Sequence, residues 1–365
     1  MKILVALSGG VDSSVVACLL KQQGHEVIGV RFALWSDPLA PALARVLPTK
    51  CCDSQSLMRA RAVCSHLKIP FHTVNLQKEF KCAVVDPYLA ASRRGLTPNP
   101  CVLCNRIFKL RHLLALSKKL KCDKVATGHY ARIAKRQGKY ALLEAKDRTK
   151  DQSYFLSRLT QKELKKTLLP LGNLTKKHVY ALAMKYRIPL VRATYRESQD
   201  LCFFPEKSPA AFLHRYIRDA RPGPIKTLDG TIVGTHGGLP FVTVGQRRGL
   251  AIGGQREPHY IVSKEQKSNT IFVAPLRESL QSAIHIKRLS FTGESPSLNR
   301  SIRLQARIRS QGEKRWGTFT WNGLNGCFIF DSPTPAVTPG QACVLYRGAE
   351  ILGSGIIAPF SRILP

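Results

Sequence analysis

Acidic residues are scarce in this chain: 23 Asp and Glu stand against 57 Lys and Arg, giving a formal net charge of +34. That excludes an acidic or balanced surface and sets up a field that concentrates polyanions. The basic positions run from Lys118, Lys119 and Lys121 to Arg303, Arg307 and Arg309, a spread that suits an extended phosphate backbone better than one polybasic tail would. Long apolar runs are also missing. None approaches the roughly 18 residues of a membrane span. Met1 leads straight into Ile3-Leu4-Val5-Ala6-Leu7, without a charged leader. The expectation is a soluble, cytoplasmic protein without a membrane partner. Its 11 cysteines then read as reduced thiols, a few of them available for redox or sulfur chemistry. No second CxxC or CxxH pair accompanies Cys101-x-x-Cys104, so no metal site is assigned.

The first half alternates short apolar runs with helical patterns. Residues 2–7, 26–32, 71–75 and 124–127 read as strands, and 12–23, 55–68 and 105–120 as helices. This alternation predicts an α/β fold: a parallel sheet with helices, open at its carboxyl edge. After about residue 200, Gly and Pro become frequent and short β-rich segments appear, among them 230–234 and 259–262. From residue 276 the runs 301–308, 316–321, 326–330, 342–347 and 350–357 read as strands of a small β-barrel. Three domains follow: an α/β domain over 1–204, a central β-rich domain over 205–275 and a C-terminal barrel over 276–365.

The most specific motif is Leu7-Ser8-Gly9-Gly10-Val11-Asp12-Ser13-Ser14, between the first strand and the first helix. Two glycines let the backbone approach a ligand, and the helix N-terminus offers N–H groups to phosphate oxygens. Asp12 is a candidate magnesium ligand or helix cap. The string resembles the PP-loop pyrophosphatases (adenine nucleotide alpha hydrolase-like), which cleave ATP between the α and β phosphates and transfer AMP to a substrate oxygen. It lacks the Gly-Lys-Ser/Thr ending of a Walker loop.

Cysteines narrow the choice. In Thr97-Pro98-Asn99-Pro100-Cys101-Val102-Leu103-Cys104-Asn105-Arg106, a proline-fixed loop precedes a helix, which is expected to place Cys104 near a helix N-terminus that favours thiolate, with Arg106 adding positive charge. Cys202 lies at the end of the α/β half, within Gln199-Asp200-Leu201-Cys202-Phe203. Sulfur transfer uses such a pair, one thiol carrying a persulfide sulfur and another releasing it. By spacing alone the CxxC also fits half a zinc site, a redox pair or part of an iron–sulfur site, and Cys202 fits a buried small hydrophobe.

Over nearly its whole length the chain resembles the tRNA-specific 2-thiouridylases. The stretches that carry the likeness are 7–14, 97–105, Thr127-Gly128-His129-Tyr130, Lys150-Asp151-Gln152-Ser153-Tyr154, 199–203, Gly245-Gln246-Arg247-Arg248-Gly249-Leu250 and Ala336-Val337-Thr338-Pro339-Gly340-Gln341. The resemblance implies 2-thiolation of the wobble uridine (U34) of tRNA, with ATP, magnesium, and an upstream persulfide donor as a second partner. ATP would sit on Ala6, Leu7, Ser8, Gly9, Gly10, Val11, Asp12 and Ser13, with Phe32 covering the adenine and Gly128 approaching it. Cys104 would be the nucleophile and Cys202 the persulfide carrier, joined by a disulfide after sulfur release. Asn99, Pro100 and Cys101 would border the target base. His129, Lys150, Asp151, Gln152, Arg309, Ser310 and Gln341 would contact tRNA. Three positions depart from the pattern: Cys101 and Ser310, where some relatives carry Asp and Tyr, and the segment Ile107-Phe108-Lys109, which lacks a usual Glu. Two other readings stand beside this one: an iron–sulfur-dependent PP-loop tRNA thiolase and a non-catalytic RNA-binding protein.

Overall fold

The computed structural model describes residues 1–41, 54–189, 201–204, 206 and 209–359. Cys51, Cys52 and residues 197–200 of the Cys202 string lie outside them. Strand β1 (Lys2–Ala6) pairs in parallel with β2 (Glu26–Ala33) and β4 (Lys124–Ala126). With β3 (Phe71–Asn75) and β7 (Thr167–Leu168) they form one sheet in the order β3-β2-β1-β4-β7. Ile3, Leu4 and Val5 are fully buried because both faces of the sheet are covered. Ile3 and Val5 join a core with helices α1 (Val11–Gln22) and α2 (Ser54–His66). Leu4 points the other way, into a core shared with barrel residues Val344, Tyr346 and Ile351. The strand order reverses between β1 and β4. There the loops after the two strands part and open a crevice at the carboxyl edge.

Two helices complete the first half's far side. Helix α3 runs from Gln77 through a π-helical turn (Lys81–Val85) to Arg93. Helix α4 runs Pro100–Cys104, then a π-helical turn Asn105–Leu110, then Arg111–Lys119. It starts five residues ahead of the 105 expected from periodicity, because Asn99 caps it: its Oδ1 accepts from the Cys101 N–H at 3.2 Å, and Pro100 takes the first helical position. After a single turn at Ser153–Leu156 come the shorter helices α5 (Gln161–Lys166) and α6 (Lys176–Lys185).

Helix α7 (Pro209–Tyr216) leads into a four-stranded central sheet ordered β10-β11-β8-β9, from β8 (Gly223–Thr227), β9 (Ile232–His236), β10 (His259–Glu265) and β11 (Thr270–Pro275). The last module is a closed six-stranded barrel: β12 (Gln281–Phe291), β13 (Ile302–Arg307), β14 (Arg315–Trp321), β15 (Gly326–Thr334), β16 (Ala342–Arg347) and β17 (Glu350–Ile357), sealed by β12 against β17.

The sequence reading contained no hairpin at β5 (Ala131–Arg136) and β6 (Lys139–Glu144). It springs from the first domain yet pairs with the barrel, Glu350 opposite Leu143 and Ile351 opposite Leu142. Charge seals the joint. The Glu144 carboxylate, 1% exposed, receives Arg307 at 3.1 Å and Lys314 at 2.9 Å, and Arg307 also reaches Asp151 at 3.2 Å. Acids this deeply buried persist only when paired.

Candidate active site

The crevice holds a cavity of about 320 Å³. One wall is the turn after β1. Gly9 has φ +76°, and a Cβ there would lie 2.3 Å from the Ser56 carbonyl oxygen, so both conformation and contact require glycine. The close approach is therefore to helix α2, whose Arg59 also donates to the Gly9 carbonyl at 2.9 Å. Ser13 Oγ accepts from the Ser8 N–H at 3.1 Å and donates to the Gly10 carbonyl at 3.1 Å, fixing the turn over the start of α1. The first-turn N–H groups of α1 have no intrahelical acceptor, an arrangement that suits an anion. Gly128, after β4, packs against it: a Cβ would meet the Ser13 nitrogen at 3.0 Å.

Of the nucleotide set expected from the sequence, Ala6, Leu7, Ser8, Asp12, Ser13, Phe32 and Gly128 line the cavity. Val11 is instead core, 1% exposed, and Gly9 and Gly10 shape the turn behind the wall. Asp12 accepts from Tyr130 Oη at 2.7 Å and from Lys176 Nζ at 2.7 and 2.8 Å. Lys176 went unrecognised in the sequence. Thr175 signals the start of its helix by capping it, but nothing local shows that the lysine reaches back to the first helix.

His129, Lys150 and Gln152, expected at the tRNA, line this same cavity. Gln152 Oε1 accepts from the Tyr130 N–H at 3.1 Å, and His129 Nδ1 lies 2.8 Å from Thr127 Oγ1. Burial, with Lys109 adding to it, lowers the His129 pKa to about 4, so its ring is neutral at physiological pH. Asp151 is turned inward. It holds the Ala145 N–H at 2.9 Å, Ser153 Oγ at 2.8 Å and Arg307, with its side chain 3% exposed.

The thiols lie beyond the Lys109 end. Cys104 belongs to an apolar cluster with Phe80, Phe108 and Phe203, and Cys202 packs against the same cluster. Cys101, Cys104 and Cys202 are all unbridged; Cys202 bears on both of the others, and Cys101 on Cys104. Because α4 begins at Pro100, Cys104 ends the first turn and does not open the helix. Burial pushes its thiol up to about 12, against the lowering effect of the Lys109 ammonium and N–H. Burial likewise raises Cys101 to about 12. The cation that serves these thiols is Lys109, brought round by the π-helical turn after Cys104. Arg106, the expected one, faces away toward Glu163 at 3.4 Å and Ser290 Oγ at 3.4 Å. Among the described residues, no three His, Cys, Asp or Glu side chains converge as a metal-ligand set.

The barrel reaches the loop before α4. Gln341 Nε2 donates to the Thr97 carbonyl at 2.8 Å, and Asn99 Nδ2 lies 3.5 Å from Gln341 Oε1. Arg309 is half-buried. Its Nη2 donates to Ala336 O at 2.8 Å, Thr338 Oγ1 at 2.9 Å and Val244 O at 3.2 Å, tying the barrel to the central module. Ser310 beside it keeps part of its surface.

Profiles described as "tRNA methyl transferase HUP domain", "tRNA methyl transferase PRC-barrel domain" and "Aminomethyltransferase beta-barrel domain" match residues 1–206, 210–275 and 281–357. The tRNA-specific 2-thiouridylase MnmA of Moorella thermoacetica is 39% identical, covering 99% of this chain and 100% of its own. This chain belongs to the tRNA-specific 2-thiouridylase family. Relatives of the same name from Chloroflexus aurantiacus (strain J-10-fl) and Lactococcus lactis subsp. cremoris are each 40% identical, covering 98% of this chain and 98% and 94% of their own lengths. Among the described residues no helix of this family member is long and apolar enough to cross a membrane.

Proposed function

We propose that the chain thiolates a tRNA uridine at C2, consuming ATP and releasing AMP and pyrophosphate. The observation that carries this is Lys109: it lines the nucleotide-sized cavity and also acts on Cys101 and Cys104. One side chain thus joins a phosphate seat to a thiol cluster. The names of the full-length relatives support the substrate, and a net charge of +34 supports a polyanionic partner. A methyl-transfer reading, as the profile description words it, leaves the thiol cluster without a role.

The carbonyl oxygen of a uridine is a poor leaving group. Its attack on the α-phosphorus of ATP expels pyrophosphate and leaves an adenylated base. The start of α1 receives the phosphates, and Phe32 meets the adenine. Asp12, the one acid among the described lining residues, would hold magnesium together with phosphate oxygens, which suits an ion that takes few protein ligands. The ion would neutralise the departing pyrophosphate. For Asp12 to bind it, Lys176 shifts from the carboxylate to the phosphates. Asn99, Pro100 and Cys101 border the flipped base, with Gln341 holding the loop from behind. Cys202 carries the persulfide received from an upstream donor. The Cys104 thiolate, helped by Lys109, attacks its inner sulfur and frees sulfide to displace AMP from C2, leaving a Cys104–Cys202 disulfide. Asp151 and Arg309 support tRNA contacts by holding the barrel, and Ser310, His129, Lys150 and Gln152 lie on the path to the site.

The test is nucleoside mass spectrometry of tRNA incubated with the protein, ATP, magnesium and a persulfide donor. Wild type should give 2-thiouridine, and Cys104→Ser and Cys202→Ser none. ATP cleavage to AMP without thiolated base would keep adenylation and overturn the sulfur assignment.

A further inference from the structure

Cys101 is one thiol more than a two-cysteine exchange needs. It occupies the first turn of α4, with Cys104 three residues on. Residues at that spacing share a helix face, and their Cα separation in a helix falls within the 4.4–6.8 Å that disulfides span. Their Cβ atoms, about 5–6 Å apart at this spacing, reach the roughly 3.5–4.5 Å of a disulfide by a small tightening of the first turn. Cys202 approaches from a separate segment, beside the same cluster. Of the two first-turn thiols, Cys101 is the more accessible: Cys104 is 5% exposed and Cys101 keeps part of its surface. All three are reduced in this structure.

We infer that Cys101 is a resolving thiol, which takes over the disulfide left by sulfur transfer and returns Cys202 to the free state. This rests on the thiolation reading above. The step is a thiol–disulfide exchange. The Cys101 thiolate attacks Cys104 Sγ, a Cys101–Cys104 bond forms, and the Cys104–Cys202 bond breaks. The electron pair leaves on Cys202 Sγ, which takes up a proton as Cys101 loses one. No oxidant or reductant enters. The half-exposed Cys202 can then be reloaded while the disulfide waits on the helix for an external dithiol. Lys109 assists by favouring the thiolate of the attacking Cys101.

The experiment starts from persulfide-loaded full-length protein with ATP and tRNA and no added reductant. It is quenched after one turnover with acid and N-ethylmaleimide, then mapped by peptide mass spectrometry. Wild type should show a Cys101–Cys104 bridge with Cys202 alkylated, and on renewed exposure to the donor Cys202 should gain one sulfur atom. In Cys101→Ser, whatever 2-thiouridine forms should be matched by a retained Cys104–Cys202 bridge, and Cys202 should gain no sulfur on renewed exposure. If wild type makes 2-thiouridine and ends with the Cys104–Cys202 bridge alone, the resolving role is lost and the thiolation reading survives. If no 2-thiouridine forms, that reading falls, and oxidation by one equivalent of diamide without tRNA decides the exchange by itself. Diamide should produce the Cys101–Cys104 bridge in wild type and the Cys104–Cys202 bridge in Cys101→Ser. A wild-type product bridged only between Cys104 and Cys202 would overturn the inference.

Discussion

Lys176 Nζ sits 2.7 and 2.8 Å from the two carboxylate oxygens of Asp12, a residue 164 positions earlier in the chain. The lysine opens helix α6 and the aspartate lies in the first turn of α1, so the pair pins two helices across one corner of the cavity. With its side chain only 11% exposed, Lys176 is screened little and remains beside the phosphate seat whether or not it holds Asp12.

Lys176→Met should therefore lower tRNA-dependent pyrophosphate release by about 100-fold, the usual effect of removing one donor to a developing charge. Release of pyrophosphate from labelled ATP under saturating tRNA measures it. A rate within about threefold of wild type, judged against that same scale, would remove Lys176 from phosphate chemistry.

Sulfur transfer should accelerate with pH. Burial holds the Cys104 thiol near 12, so it is protonated at neutral pH and its thiolate fraction grows about tenfold per pH unit below that value. Single-turnover 2-thiouridine formation between about pH 6.5 and 9 tests the slope. Lys109→Met removes the opposing cation and should lower the rate at every pH without flattening the profile. A plateau beginning near neutrality would place a different group in control.

His129 makes the opposite prediction for stability. Its folded pKa is depressed from 6.5 to about 4, so the unfolded chain binds its proton first as pH falls. The associated stability is complete above about 6.5 and disappears as pH falls through about 4, at most about 3 kcal/mol. Urea unfolding of His129→Asn should show a shallower loss across that window than wild type does. Parallel curves would mean that the ring is already solvated.

Arg309→Lys keeps the charge, but its shorter side chain ends before the place of Nη2, from which all three acceptors on Ala336, Thr338 and Val244 are held. It should cost about 2 kcal/mol of stability, because buried acceptors lose their donor. The salt dependence of tRNA binding should be unchanged. A reduced salt slope with unchanged stability would make Arg309 a direct phosphate contact.

Gly9→Ala should hinder folding more than its size suggests. The added methyl meets the Ser56 backbone at 2.3 Å, in a conformation with φ +76°. Poor soluble yield or a lowered melting temperature is the expected result, and wild-type behaviour would show that α2 gives way.

Much of the α/β half is legible in the chain because buried parallel strands are short apolar runs and the helices between them carry 3.6-residue periodicity. What escaped depends on partners distant in sequence. Strand β12 buries few side chains and alternates weakly, so only its pairing with β15 and β17 reveals it. Residues 131–144 carry no sign in the chain of the barrel strand that becomes their neighbour. At the site, the glycine turn and the cysteines announce themselves by motif. Lys109 and Lys176 do not, since a lysine on a helix is usually solvated, and only the π-helical turn and the return of α6 bring these two inward. Arg106 shows the converse: adjacency to Cys104 in sequence gave it no access to the thiol.

The hairpin shared with the barrel bears on how this architecture can be shortened or recombined. Ending the chain before residue 281 would strip β6 of its barrel partner, leaving Leu142 and Leu143 paired with β5 alone and open on the other edge. It would also leave the Glu144 carboxylate without Arg307 and Lys314. An unpaired apolar edge and a buried acid left with Arg148 alone favour self-association over a working fragment. The terminal module thus finishes an edge that the first domain leaves open by itself.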